Sequence, residues 1–289
     1  MSSPLHAGCY ADHCWHGSVV VRENVQLAEA TYRVRFDCPE LARRIVPGQF
    51  VMLRLAGFND PLLGRPLALY DTVLSVSGEP AGIDVVYLVL GRMTGKLALY
   101  QPGQILDIWG PLGNGFPPVE TEHLVMVAGG IGQTPFLALT QEYLGRRNYG
   151  TQPRPAARAE RVTLLYGARR RSMLAGIEDF QRLGVDVQVS TDDGSAGHHG
   201  LVTDLLARTL RVSPDCRVAC CGPEKMMEAT AHLCREAGVP CQVSLETPMA
   251  CGIGICFSCV ARVRDDQGDW DYRRTCVEGP VFDAQRILF

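Results

Sequence analysis

The chain has 289 residues, 46% of them hydrophobic and 20% charged, with a formal net charge of −3. That length suits two domains, each with its own core. The charge excludes a general attraction to nucleic acid or to an anionic membrane, and no apolar run reaches the roughly eighteen residues of a membrane span.

Residues 1–17 read as a loose tail. They show no basic region followed by an apolar core, so no signal peptide is expected and a cytoplasmic protein is. Cys9, His13, Cys14 and His16 are metal-ligand types, but a loose tail carries such sets by coincidence. From 18 to 118, short β-rich runs alternate with turn residues: SVVVREN, ATYRVRFD, GQFVMLRL, RPLALYDTVLSV, IDVVYLVLG and GQILDIWGP. That spacing predicts an antiparallel barrel or sandwich. A short turn is expected at PELARRI and a helix at TGKLALYQ. Two anion-binding features fall here. Arg65-Pro66 opens a strand with a cation that can neutralise a pyrophosphate. Gly91, Thr94 and Gly95 follow a strand at a helix start. Either feature alone is weak, since such short patterns are common.

From 119 to 245 the pattern changes. Strands HLVMVAGG, RVTLLYGA, VDVQVSTDD, CRVACCG and CQVSLE alternate with helical stretches TPFLALTQEYLG, MLAGIEDFQRLG, GLVTDLLARTL and PEKMMEATAHLCREAG. Alternation of this kind predicts a doubly wound parallel sheet. RRNYGTQPRPAARAE reads as an exposed connection. Gly129, Gly130 and Gly132 follow a buried strand, with Thr134 and Pro135 opening the next helix. This suits close approach of a dinucleotide with its phosphates at the helix start, or simply a tight strand-to-helix turn. Cys221, Gly222 and Pro223 end a later strand, where such sheets line their ligand crevice; a buried inert thiol is the plainer alternative. Arg169, Arg170 and Arg171 could hold a 2′-phosphate, while Asp192 and Asp193 would repel one. Solvated arginines are the simpler account.

The chain has twelve cysteines. In a long chain without a signal peptide, free thiols or metal ligands are expected rather than disulfides. Cys38, Cys234 and Cys241 read as small buried hydrophobes. Cys251, Cys256, Cys259 and Cys276 are different. Their C-x4-C-x2-C…C spacing is that of plant-type 2Fe-2S sites, and Gly252 and Gly254 let a loop wrap a cluster and bring N–H groups to the sulfides. Four thiolates also suit tetrahedral zinc, although zinc sites favour two short cysteine pairs. Residues 246–289 are too few for a complete ferredoxin domain. They are expected to form an appendix docked on the α/β domain, with Ile253, Ile255 and Phe257 either covering the cluster or docking a partner.

In chain order these motifs are R-P, G-x-x-T, GGIGQTP, YG, TDDGS and CGP. The set resembles the ferredoxin–NADP reductase superfamily. The segments MACGIGICFSCV and CVEGPVF resemble one branch of it, the electron-transfer subunits of two-subunit, NAD-dependent dihydroorotate dehydrogenases. The resemblance runs from about Gly17 to the end. It implies an antiparallel FAD-binding barrel, a doubly wound NAD-binding sheet and a C-terminal 2Fe-2S appendix, with FAD, a 2Fe-2S cluster and NAD(H) as cofactors. By position, Arg65, Pro66, Leu67 and Ala68 match the family's flavin strand. Val86, Tyr87 and Leu88, then Met93 and Thr94, match its other flavin segments. Ala68 stands where the family commonly has a hydroxyl residue, and Gly64 where a basic residue is frequent. The implied partner is an FMN-containing catalytic subunit in a heterotetramer. Electrons from dihydroorotate would pass through the cluster and FAD to NAD, with carboxylates and histidines too scattered for separate acid–base chemistry. The rival readings are a reductase subunit of another complex, a non-enzymatic iron–sulfur regulator and a zinc-stabilised binding module.

Overall fold

The computed structural model describes residues 14–152, 154 and 157–289. Cys9 and His13 lie outside them. Six strands close a barrel: β1 (Trp15–Ala28), β2 (Thr31–Asp37), β3 (Phe50–Leu55), β4 (Arg65–Leu74), β5 (Pro80–Leu88) and β6 (Ile105–Leu112). Their order is β1-β2-β5-β4-β3-β6, every neighbour antiparallel. Alternation sends Val19, Val21, Val34, Phe36, Leu53 and Leu55 into one apolar core. Strand β1 starts at Trp15, so Trp15, His16 and Gly17 belong to the barrel and not to a tail. They satisfy the edge of β6, with His16 opposite Trp109. Helices α1 (Pro39–Ala42) and α2 (Arg92–Leu97) are short caps on the barrel.

The second layer holds strands β7 (Thr121–Gly129), β8 (Ala159–Ala168), β9 (Asp186–Thr191), β10 (His198–His199), β11 (Cys216–Cys221) and β12 (Cys241–Ser244). Between them run α3 (Phe136–Tyr143), α4 (Ile177–Arg182), α5 (Val202–Val212) and α6 (Glu224–Ala237). Helix α4 is shorter than its pattern suggests, because Gly176 takes a left-handed conformation and starts it late. After β12 come a hairpin, β13 (Val260–Arg264) and β14 (Trp270–Arg274), and a last strand, β15 (Val281–Asp283). The sheet order is β10-β9-β8-β7-β11-β12-β15, parallel except for β15. The chain reverses its direction of winding between β7 and β11, which makes their carboxyl ends the switch point where such sheets bind ligands. Cys38, Cys234 and Cys241 are buried in apolar surroundings, as their sequence contexts suggest.

The C-terminal segment departs from the expectation that it docks on the α/β layer alone. Strand β15 does extend that sheet, but the cysteine loop packs on the barrel. Cys259, Cys276 and Val277 share a core with Phe50, Met52 and Leu112 of β3 and β6. The indole Nε1 of Trp109 donates to the Cys251 carbonyl at 2.9 Å.

The two layers are joined through β4. Asp71 accepts from Arg147 Nη1 at 2.9 Å, from Tyr149 Oη at 2.7 Å and from Gln141 Nε2. Its neighbour Tyr70 donates to Asp179 Oδ2 at 2.6 Å. At the far end of the sheet, His123 Nε2 lies 2.9 Å from Thr163 Oγ1, and its Nδ1 accepts from Arg161 Nη2 at 2.9 Å. Burial, reinforced by the Arg161 charge, pushes the imidazole from 6.5 down to about 4. The folded state therefore refuses a proton that the unfolded chain accepts. His123 contributes its full stability above pH 6.5 and loses it as the pH falls to about 4, up to about 3 kcal/mol in all. In denaturant titrations across this window, His123→Gln should flatten that part of the pH profile.

Candidate functional site

A cavity of about 720 Å³ lies where barrel, sheet and C-terminal segment meet. One wall is the barrel: Arg65, Pro66, Leu67 and Ala68 on β4, Val86, Tyr87 and Leu88 on β5, and Met93 and Thr94 on α2. All nine positions matched to flavin segments thus come together. The opposite wall holds Thr134, Pro135 and Cys221 from the sheet's switch point. Arg65 donates to the carbonyls of Leu63 and Gly64 at 3.1 and 3.0 Å and meets no carboxylate among the described residues. Its charge stays available to an anion. Thr94 is more occupied than the sequence suggests. Its Oγ1 accepts from the Leu90 and Gly91 amides at 3.1 and 3.2 Å, so those donors are already satisfied. Ala68 offers no hydroxyl; the cavity's hydroxyls come from Thr94, Thr134, Ser244 and Thr247.

Gly129, Gly130, Gly132, Gly222 and Pro223 are beside the cavity, not on it. Three of these glycines serve the chain's own packing: a Cβ on Gly222 would fall 2.7 Å from Met226 Cε. A Cβ on Gly132 would fall 2.2 Å from the Cys221 carbonyl oxygen, and one on Gly129 2.7 Å from Pro223 Cδ. Only Gly130 faces open space. The close approach read from the sequence is therefore mostly that of one loop to another, and it holds Cys221 at the cavity wall.

The sequence reading missed a third wall. Ser244, Leu245, Glu246, Thr247, Pro248 and Met249 cross from the end of β12 to the cysteine loop and line the cavity on the way. Gly48 and Phe50 complete it from the barrel. The only signal was position: these residues join two motifs. Glu246 is the carboxylate that the cavity presents; the residue keeps solvent contact, and partial loss of water around its carboxyl raises its pKa above the ordinary carboxylate range.

The four cysteines of the C-terminal motif approach in two pairs. Cys256 interacts with Cys251, and Cys259 with Cys276, while Cys276 also feels Cys251 electrostatically. Among the described residues no group of three or more His, Cys, Asp or Glu side chains is arranged to hold a single metal ion. Two thiol pairs suit a two-iron cluster, in which each iron takes two cysteines, better than zinc, which takes all four on one point. Two of the thiols are held in settings that favour the thiolate. Hydrogen bonds from Ser258 lower Cys256 to about 6. The Cys276 thiol donates to Cys259 and lowers it to about 6, while its own pKa rises for the same reason. The loop is braced from outside by Arg274, whose Nη1 donates to the Gly254 carbonyl at 2.9 Å and whose guanidinium lies 5.0 Å from the Phe257 ring centroid. Ile253 packs against the thiol core, whereas Ile255 and Phe257 are exposed.

Of the nucleotide-specificity candidates, Arg170 is ion-paired with Glu29. Asp193 accepts from the Ser195 amide at 2.9 Å and from its hydroxyl at 2.6 Å. Cys14 borders the thiol core, and His16 stacks obliquely near Trp109.

A closed antiparallel barrel joined to a doubly wound sheet, with one cavity between them, defines an oxidoreductase of the ferredoxin–NADP reductase type. Solved structures agree. The chain superposes with TM-score 0.74 and 28% identity on an NADH-dependent reduced ferredoxin–NADP oxidoreductase studied for flavin-based electron bifurcation, covering 93% of this chain and 89% of that one. A ferredoxin reductase of carbazole 1,9a-dioxygenase shares the fold at TM-score 0.64 and 18% identity, covering 78% and 67%. Residues 126–232 match the oxidoreductase NAD-binding domain, and residues 246–288 match the iron–sulfur cluster binding domain of dihydroorotate dehydrogenase B. The electron transfer subunit of dihydroorotate dehydrogenase B (NAD(+)) from Desulforamulus reducens is 35% identical over 91% of this chain and 94% of its own length. That from Caldanaerobacter subterraneus subsp. tengcongensis is 34% identical over 95% and 99%. The chain belongs to this family of electron transfer subunits.

Gly252 tests the packing of the cysteine loop on the barrel. It has φ +72°, and a Cβ there would meet Met52 Cγ at 2.5 Å. Gly252→Ala should displace the loop and lower the iron and sulfide bound per chain, at a cost of about 1–2 kcal/mol from the left-handed backbone alone. Cys38→Ser, remote from the loop, should leave the iron content unchanged. Iron and sulfide assays with a thermal melt read both variants.

Proposed function

We propose that the cavity is where the three redox groups of this subunit meet. The carrying observation is that its walls come from the flavin-matched barrel strands, the switch point of the sheet and the segment leading into the cysteine loop. The flavin of FAD fits the barrel wall. Arg65 sets its charge against the pyrophosphate, and buried Tyr87 and Met93 keep water from the ring side. Thr134, Pro135 and Cys221 form the face on which a nicotinamide would stack, with the rest of NAD running over the loop at Gly130. Cys251, Cys256, Cys259 and Cys276 hold the 2Fe-2S cluster. Together these groups exchange two electrons with nicotinamide and one at a time with the cluster. The protein's part is to orient them and exclude solvent, with Glu246 able to hold a proton at the cavity wall.

The relatives are named as subunits of a dehydrogenase, which supports a catalytic partner. We take that partner to carry FMN, to assemble with this chain as two of each subunit, and to dock over Ile255 and Phe257. No helix among the described residues is long and apolar enough to cross a membrane. The eleven described cysteines are all free thiols, which suits the reducing cytoplasm.

The test is an anaerobic visible spectrum of the protein before and after NADH. Flavin bands and a broad iron–sulfur absorbance, both bleached by NADH, are expected. A colourless protein from an iron-replete preparation, or colour that NADH leaves untouched, would sink the proposal.

A further inference from the structure

We infer that a pair of threonine hydroxyls, Thr247 and Thr275, is the contact through which electrons cross between the cavity and the cluster, entering at the Cys259–Cys276 side. The inference rests on the proposed function, and it concerns a connection that the two sites do not by themselves require.

Thr247 lines the cavity. Its Oγ1 is hydrogen-bonded to Thr275 Oγ1. Thr275 is fully buried, donates from Oγ1 to the Cys259 carbonyl at 3.1 Å and from its amide to the same oxygen at 2.7 Å, and precedes Cys276 in the chain. Two hydrogen bonds and a few covalent bonds thus connect the cavity wall to both cysteines of the buried pair. Electron tunnelling decays less steeply through bonds and hydrogen bonds than across gaps. Beside this bridge, Phe50 and Met249 line the cavity and also pack in the core that contains Cys259 and Cys276, filling the space that water would otherwise take. The other pair is linked less tightly and through solvent-exposed atoms. Exposed Cys256 lies 3.1 Å from Ser258 Oγ, which donates to the carbonyl of cavity-lining Pro248 at a long 3.4 Å, and the Cys251 carbonyl is held by Trp109 on the barrel. A cluster held by these four cysteines would thus have its buried Cys259–Cys276 side towards the cavity and its Cys251–Cys256 side towards solvent, with exposed Ile255 and Phe257.

With the groups bound, each crossing would take one electron from the cluster and give one to the flavin; two crossings with one proton from water would balance the hydride passed on to NAD+, and the part of Thr247 and Thr275 would be to connect the two sites. With NADH as donor the same contact carries electrons the other way, which is how it can be tested without a partner subunit.

The experiment compares the loaded protein with Thr247→Val, Thr275→Val and the conservative Thr275→Ser. NADH is mixed in anaerobically, and flavin and cluster bleaching are followed separately. Dithionite, which reduces the cluster directly, is the control, and an EPR redox titration gives the cluster potential. Cluster bleaching behind flavin reduction should slow severalfold in both valine variants and recover in the serine variant. The dithionite rate and the cluster potential should not move. Wild-type cluster bleaching in a loaded Thr247→Val protein overturns the inference, including the case where Thr275→Val loses its iron. A slowing matched by a shifted potential also overturns it, since the hydroxyls would then set energy and not connection. If NADH reduces nothing in the wild type, the proposed function itself falls. If the wild type responds and the valine variants match it, this inference falls alone.

Discussion

One buried carboxylate sets the angle on which the rest of the site depends. The cavity exists only while the barrel and the sheet keep a fixed orientation, and Asp71 of β4 takes hydrogen bonds from Gln141, Arg147 and Tyr149 of the other layer. Burial raises the Asp71 pKa, and the Arg147 charge with these hydrogen bonds opposes that rise. Such a pair adds little net stability over apolar packing, but an unpaired member is costly, so it penalises any other docking of the two layers. Tyr70, one residue earlier, reaches Asp179 in the same layer. The same strand begins with Arg65–Ala68 on the cavity wall. A shift of β4 would therefore move the flavin wall and the interlayer contacts together.

The C-terminal segment completes that arrangement by binding to both layers. Strand β15 pairs with β12, Asn114 Nδ2 donates to the Val281 carbonyl at 2.7 Å, and the cysteine loop rests on Met52, Leu112 and Trp109. Residues 246–289 have little core of their own. Their hairpin β13–β14 exposes Trp270 and Tyr272 on one face and buries Val263 on the other. The barrel and sheet supply the buried surface that so short a segment lacks. A loop held this way can bring thiols to within interaction distance of one another and keep them there, which a cluster needs for its four bonds to form together.

Much of this was legible in the sequence, for identifiable reasons. The barrel strands alternate with a period of two and the sheet strands are continuous apolar runs between glycines, so both layers could be read from local pattern. The cysteine spacing pointed to the iron–sulfur segment that residues 246–288 match, because a cluster demands fixed geometry from nearby residues. What could not be read depends on contacts distant in the chain. Nothing local marks Glu246–Met249 as a cavity wall, or Phe50 as shared by two sites, since each acquires its role from the packing of the C-terminal segment on the barrel. His16 looked like part of a tail because its pairing partner, Trp109, is 93 residues away. Gly129 and Gly132 were legible as glycines under constraint, but the constraint comes from Pro223 and the Cys221 carbonyl, which the sequence does not place beside them.

Ala68 shows how an apparent deficiency can be absorbed by this architecture. A side-chain hydroxyl on β4 would approach a flavin from the barrel side, and here that position carries only a methyl group opposite Phe50. Of the threonine and serine hydroxyls that line the cavity, Thr94 on the barrel side is already engaged with the Leu90 and Gly91 amides, and Thr134, Ser244 and Thr247 belong to the sheet and to the C-terminal segment. With a flavin on the barrel wall as proposed, polar contact with its ring would come from those two elements and would depend on their being docked. An orientation fixed by Asp71 and a segment anchored at both ends make that dependence tolerable, because neither element can move away without breaking buried hydrogen bonds.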